Sequence, residues 1–272
     1  MAPWDPDRYL GFADQRSRPG VDLINRVGHP SPETIVDLGC GTGHLTVALA
    51  RRWPQARVIG VDASPQMLER AVALFPPRDW PTVEWREEDL ATFQPASPPS
   101  ILFSNATLHW VPEHRSLFPR LMDSLAPGGV LAVQMPDNWN QPSHLLIDRL
   151  IDDPWWARGR VGDDLSAALV RSPLAAPGAY RAWLSPGAGD VDMWRTSYFH
   201  LLGGPDPVLG WVKGSVLAPV LAVLEPDDAG RLEAALAAAY REAYPPEPDG
   251  TTIFPFSRLF IVATKLTAGE ER

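Results

Sequence analysis

Seven consecutive residues, Asp37-Leu38-Gly39-Cys40-Gly41-Thr42-Gly43, combine one carboxylate with three glycines at alternate positions. Glycine permits tight turning and lets a ligand approach the backbone closely. The spacing is G-x-G-x-G, whereas a dinucleotide turn reads G-x-G-x-x-G and seats a pyrophosphate on a helix N-terminus. Asp37 puts negative charge where a diphosphate needs none, and so favours a ligand with a cationic, amino-acid-like end. Asp62 follows Gly43 by 19 residues, a position at which an acid accepts hydrogen bonds from both hydroxyls of a ribose. Asp89 closes a third apolar run and is placed for an adenine amino group. Within Glu87-Glu88-Asp89, only Asp89 is expected to turn inward.

The surrounding pattern supplies elements to carry these groups. Thr34–Leu38 reads as a buried strand, His44–Trp53 as a helix with Leu45, Leu49 and Trp53 on one face, and Arg57–Val61 as a second strand ending at Asp62. Pro65–Phe75 is helical with Ser64 at its N-cap. Further strands are expected at Thr82–Arg86, Ser100–Ser104 and Val130–Met135. Leu117–Leu125 forms a helix between the last two, stopped by Pro127-Gly128-Gly129. This alternation predicts a doubly wound parallel α/β sheet.

After Met135 the rhythm breaks, and residues 136–190 read as an inserted cap with helical pieces at His144–Ile151 and Asp164–Arg171. Val191–Leu201 is strand-like, and Pro226–Tyr244 is a helix presenting Leu232, Leu236 and Tyr240. Leu259–Thr264 is the last strand, with Arg258 just before it. The organisation is thus a covering segment at 1–33, a core at 34–135, a helical cap at 136–190, and closing strands and helix at 191–272.

The glycine turn and the three strand-end acids resemble the cofactor site of the class I S-adenosylmethionine-dependent methyltransferases, over about Thr34–Met135. The resemblance implies a Rossmann-like sheet that binds S-adenosylmethionine and releases S-adenosylhomocysteine. It implies that Asp37, Gly39, Gly41 and Gly43 hold the methionine end, and Asp62 with Ala63 the ribose. Asp89 and Leu90 would hold the adenine, with Asn105 to Leu108 lining the remaining wall.

A narrower resemblance runs nearly end to end. The segments Trp4–Pro6, Tyr9–Phe12, Arg16–Pro19, Asn105–Trp110, Ala132–Trp139, Val191–His200 and Phe254–Ala263 are similar to those of the trans-aconitate 2-methyltransferases. That family is implied to form a methyl ester on a carboxylate of trans-aconitate. The residue types suit that chemistry. A carboxylate has a reference pKa near 4 and needs no base to become a nucleophile. The remaining task is to place one oxygen about 3–3.5 Å from the methyl group. Arginine forks bind carboxylates bidentately, so Arg18, Arg195 and Arg258 are the candidate anchors. Gln134, Trp110, Trp139, Tyr198 and His200 support them. No residue is assigned as a catalytic base. The stretch Trp211–Pro219 resembles a family segment that often carries arginine before the proline, where this chain has Ala218.

Composition bounds these readings. The 272 residues are 45% hydrophobic and 21% charged, enough for a sizeable core. The net charge of −9 argues against nucleic acid and anionic membranes as partners, while a local group of arginines can still bind a small anionic carboxylate. The single cysteine, Cys40, excludes an internal disulfide and a cysteine metal site. His109 and His200 have no companion ligands, so no metal is expected. No apolar run reaches the ~18–20 residues of a membrane span, and Met1–Gly20 lacks a signal-peptide pattern. A cytoplasmic monomer is the expectation. Alternatives are a methyltransferase acting on a hydroxyl, amine or carbon through a histidine base, a non-catalytic S-adenosylmethionine-binding module, and a nicotinamide oxidoreductase disfavoured by Asp37.

Overall fold

The computed structural model describes residues 13–152, 168, 174–267 and 269. Described residues 14–136, 174–196 and 258–267 form one compact unit, the sheet unit, and 137–152 with 197–257 form another, the helical unit. The predicted helix at Asp164–Arg171 lies outside the described residues apart from Ala168, as do the segments Trp4–Pro6 and Tyr9–Phe12.

Seven strands share one sheet: β1 (Thr34–Leu38), β2 (Arg57–Asp62), β3 (Val83–Glu87), β4 (Ile101–Asn105), β5 (Val130–Pro136), β6 (Ala188–Leu202) and β7 (Thr252–Lys265). Their order is β3-β2-β1-β4-β5-β7-β6. β1 to β5 pair in parallel, and β7 returns antiparallel to β5. Ile35, Ile101, Leu102, Phe103 and Leu131 are buried, as expected of parallel strands covered on both faces, which read as continuous apolar runs. β1 pairs with β2 on one side and β4 on the other, so the strand order reverses there. The carboxyl ends of β1 and β4 flank the crevice that open α/β sheets use for ligands.

In the sheet unit, α1 spans Ala13–Arg26, α2 His44–Arg52, α3 Pro65–Leu74, α4 His114–Ser124 and α6 Pro177–Leu184. Three of these helices fall where the sequence placed them, α2, α3 and α4, while α1 and α6 were not foreseen. Ser64 caps α3 by accepting from the Met67 N–H, with Pro65 in the first turn. α4 starts three residues earlier than the apolar spacing implied. His114 there is buried, and its ring nitrogens pair with the Tyr180 hydroxyl at 2.7 Å and the Leu108 carbonyl at 2.8 Å. Tyr180 lies on α6, which packs against α4.

The helical unit contains α5 (Pro142–Ile151), α7 (Pro207–Lys213), α8 (Ala218–Ala222) and α9 (Pro226–Ala243). α9 packs on α5 and α7 through the expected face of Leu232, Leu236 and Tyr240. The Tyr240 hydroxyl donates to the Ser143 carbonyl at 2.7 Å, and the Ser143 N–H donates to the Tyr244 hydroxyl at 2.9 Å. No described helix is long and apolar enough to cross a membrane.

Two strands start three or more residues ahead of the sequence reading. β6 begins at Ala188, ahead of Val191. β7 begins at Thr252 instead of Leu259, so Arg258 lies within the strand rather than before it. Pro255 interrupts the pattern there, and proline in a run ordinarily argues against a strand. The buried alternation Thr252, Phe254, Phe256, Arg258 shows that strand pairing prevailed.

Phe118 on α4 is fully buried, with its ring 4.8 Å from Tyr180 and 5.2 Å from His114. Phe118→Ala should destabilise the sheet unit by about 3–5 kcal/mol in denaturant unfolding. A change within about 1 kcal/mol would mean that the site collapses onto the cavity without cost.

Candidate active site

The backbone reverses after β1 through Gly39, Gly41 and Gly43, at φ of 76°, 55° and 84°, values that side chains disfavour. A Cβ on Gly39 would lie 2.1 Å from Thr107 Cγ2. At Gly41 no described residue lies within 4 Å of that position, so the middle of the turn is open among the described residues.

Two carboxylates hold this turn. Asp62, half-buried at the end of β2, accepts from the Gly41 N–H through Oδ2 and from the Ser64 N–H through Oδ1, each at 2.9 Å. Asp37, 2% exposed, accepts from the Thr46 hydroxyl at 2.6 Å. Burial pushes the Asp37 carboxyl up to about 7, Thr46 opposes the shift, and the Asp62 charge adds to it. Neither acid forms an ion pair with a described residue, so the turn suits a cation.

The loop after β4 is tied to the first. Thr107 donates its hydroxyl to the Gly39 carbonyl at 3.2 Å and to the Asn105 carbonyl at 3.1 Å. Ala106, at φ 54°, donates its N–H to the Gln134 carbonyl at 2.9 Å. Asn105 Oδ1 is buried without a hydrogen-bond partner among the described residues. Leu108 and Leu90 are buried in the core, and Ala63 is exposed. Asp89 does not turn inward: it lies two residues past β3, is exposed, and accepts from the Ala91 N–H at 2.9 Å. Its short side chain satisfies the local turn instead.

Of the candidate substrate residues, the sheet unit brings Gln134 and Arg258 together. Gln134 has no exposed surface and Arg258 is 2% exposed. Arg258 Nη1 donates to Gln134 Oε1 at 3.3 Å, leaving Gln134 Nε2 buried without a partner among the described residues. His109 is 6% exposed and its Nδ1 also lacks one. Burial first, then the charges of Arg258 and His114, push its imidazole down to about 3. Trp110 is 42% exposed, its ring 4.8 Å from His109. Arg18 on α1 and Arg195 on β6 are exposed. In the helical unit, Tyr198 and His200 are buried and near parallel, with His200 stacked 4.8 Å from Trp211. Trp139 meets His144 edge-on at 4.8 Å.

A family model described as a methyltransferase domain matches residues 35–129. The trans-aconitate 2-methyltransferase of Methylobacterium nodulans is 45% identical over 265 residues, covering 97% of this chain and 99% of that protein. The enzyme of the same name from an Azoarcus species is 43% identical, covering 97% and 100%. The chain belongs to the trans-aconitate 2-methyltransferase family. The YcgJ protein of Bacillus subtilis, at 15% identity, shares the fold with a TM-score of 0.59 over 92% of this chain and 99% of that one. The chain is thus a methyltransferase on a seven-stranded α/β sheet of that fold.

In this family member, several residues that position the turn escaped sequence reasoning. Thr46 looks like an ordinary helix residue, and Thr107, inside the expected wall of Asn105 to Leu108, was not expected to bond the turn; only the fold brings them to Asp37 and Gly39. Trp85 lies against two glycines, since a Cβ on Gly43 or Gly60 would come within 2.3 Å and 2.7 Å of its ring. Gly60 inside a strand was the available signal, because such a glycine marks close approach of another group.

Asp37 has a testable linkage. Its folded pKa of about 7 exceeds the ordinary aspartate value of 3.8, so the folded chain binds the extra proton between those values. Stability therefore falls as pH rises through that window and recovers as pH drops below it. Asp37→Asn should flatten the decline in melting temperature between about pH 4 and about pH 7 in the ligand-free chain. Parallel declines for both proteins would contradict the assignment.

Proposed function

We propose that the chain transfers a methyl group from S-adenosylmethionine to a carboxylate of trans-aconitate, forming a methyl ester and S-adenosylhomocysteine. Near-complete alignment at 45% identity with a trans-aconitate 2-methyltransferase carries this reading, because the likeness extends well beyond the general methyltransferase domain at 35–129.

The turn fits the cofactor. Gly41 leaves space among the described residues, and Asp37 supplies a buried carboxyl without a described cation. Asp37, Gly39, Gly41 and Gly43 hold the amino-acid end. Asp62, fixed by two N–H donors, keeps lone pairs for the ribose hydroxyls, with Ala63 beside it. Leu90 serves the adenine, and Asn105 and Leu108 the remaining wall, while Asp89, bonded to its own turn, is left out. When bound, S-adenosylmethionine supplies an electrophilic methyl group on a sulfonium.

The protein's task toward the acid is orientation. The attacking carboxylate is ionised without help at neutral pH. Arg258, held by Gln134, anchors a non-reacting carboxylate, and Arg18, Arg195 and Trp110 are the sheet unit's further candidates. The helical unit contributes Trp139, Tyr198 and His200 as candidates. With a net charge of −9, the reading includes a cytoplasmic monomer that acts on a small anion and binds no nucleic acid.

Labelled methyl transfer tests this with trans-aconitate, cis-aconitate, citrate and isocitrate in parallel. Base-labile label on trans-aconitate is expected, and none on any acid despite intact cofactor binding would refute the substrate. Asp62→Ala should weaken S-adenosylmethionine binding by about 10–150-fold, from the roughly 1.5–3 kcal/mol of hydrogen bonds to a charged acceptor. Unchanged affinity by calorimetry would remove Asp62 from the site.

A further inference from the structure

The connection from β3 to β4, residues 88–100, contains no helix, whereas α2, α3 and α4 fill the other crossovers between β1 and β5. A helix satisfies most of its own carbonyls, and an irregular loop has to find donors elsewhere. Here a single side chain supplies them. Arg120, on α4, donates from Nη1 to the Phe93 carbonyl and from Nη2 to the Ala91 carbonyl at 2.8 Å, with the Leu90 carbonyl at 3.5 Å from the same nitrogen. Leu90 and Phe93 are buried, and they share one apolar cluster with Leu117 and Leu121 of α4. Asp89 closes the turn on itself, accepting from the Ala91 N–H through its carboxylate and from the Thr92 N–H through its carbonyl. Asp89 therefore shapes this loop, while Arg120 fastens it to the core.

The loop leaves the carboxyl end of β3, the side on which open α/β sheets seat their ligands. Hydrogen bonds with an ionised donor are the stronger kind, and a planar fork that spans three carbonyls fixes both the distance and the orientation of the loop relative to α4. We infer that Arg120 is a positioning residue for the adenine end of S-adenosylmethionine: by holding Leu90, Ala91 and Phe93 against α4, it sets where the wall that meets the base stands. It acts through that loop and not by contact with the cofactor. A lysine would not replace it, since an ammonium on a flexible stem is a compact point charge that cannot span the three carbonyls. The inference rests on the placement of Leu90 at the adenine and adds what holds it there.

Calorimetry on the whole chain tests this with two ligands, S-adenosylhomocysteine and 5′-methylthioadenosine, which keeps the adenine and ribose but has no amino-acid end. Arg120→Ala should weaken both by about tenfold, because the loss falls on the end they share. Arg120→Lys should recover part of it and stay about threefold below wild type. In turnover, KM for S-adenosylmethionine should rise by the same factor, while kcat and KM for trans-aconitate stay within about twofold. Unchanged S-adenosylhomocysteine affinity would overturn the role of Arg120. So would a loss absent from 5′-methylthioadenosine, which would put the effect at the amino-acid end, or equal rises in both KM values with a lower kcat, which would mean general loosening. Should Arg120→Ala lose its cooperative melting, Arg120→Lys carries the same comparison, and unchanged affinity there overturns the role. Nuclear Overhauser contacts between the adenine protons and labelled leucine methyls check the placement of Leu90 separately. Their absence at Leu90 would overturn that placement and the inference together, whereas contacts with unchanged affinity in the Arg120 variants would overturn the inference alone.

Discussion

The Asp62 carboxylate grips two backbone N–H groups, that of Gly41 in the loop after β1 and that of Ser64 at the start of α3. Through them it fixes the shape of the crevice where the strand order reverses. A loop of glycines at positive φ is entropically loose when alone. Here Asp62 fastens its middle, the Val61 carbonyl accepts from the N–H groups of Gly39 and Cys40, and Thr107 ties Gly39 to the loop after β4. The buried parallel strands beneath supply rigid ends from which these loops depart. Functional loops on a rigid scaffold are what binding with defined geometry requires.

That arrangement leaves two carboxylates around one turn, with Asp37 buried and raised to about 7. A site that places negative charge in a low-dielectric environment loses stability while empty and recovers it when a cation arrives. At β5 the polarity is opposite, since Arg258, Gln134 and His109 gather buried donors. One unit thus presents an acidic turn and a donor-rich strand end, the combination needed to hold a sulfonium cofactor and a polyanionic acid.

Much of this was legible from the residues alone. The glycine turn could be read because its dihedrals exclude most other side chains, and the strand-helix alternation because buried parallel strands are continuous apolar runs. Asp62 followed from its interval. Side-chain direction did not follow. Asp89 shares the strand-end context of Asp62 yet folds onto the Ala91 N–H, since a local turn competes for a short carboxylate. Arg258 was named for its motif, but its place inside β7 beside Gln134 depended on a strand running through Pro255. His109 entered only as a histidine without companion ligands, because a sequence does not disclose which ring nitrogen lacks a partner.

Methylation of a carboxylate by orientation makes a definite demand on pH. The acid is ionised throughout the neutral range, a bound cation keeps Asp37 ionised, and His109, at about 3, stays neutral. The direct measurement is the single-turnover rate of methyl transfer to trans-aconitate, with both substrates saturating, from about pH 6 to about pH 9. A level profile is expected. A rate that rises about tenfold through one ionisation near neutrality, and loses that step in His109→Asn, would contradict transfer without a base.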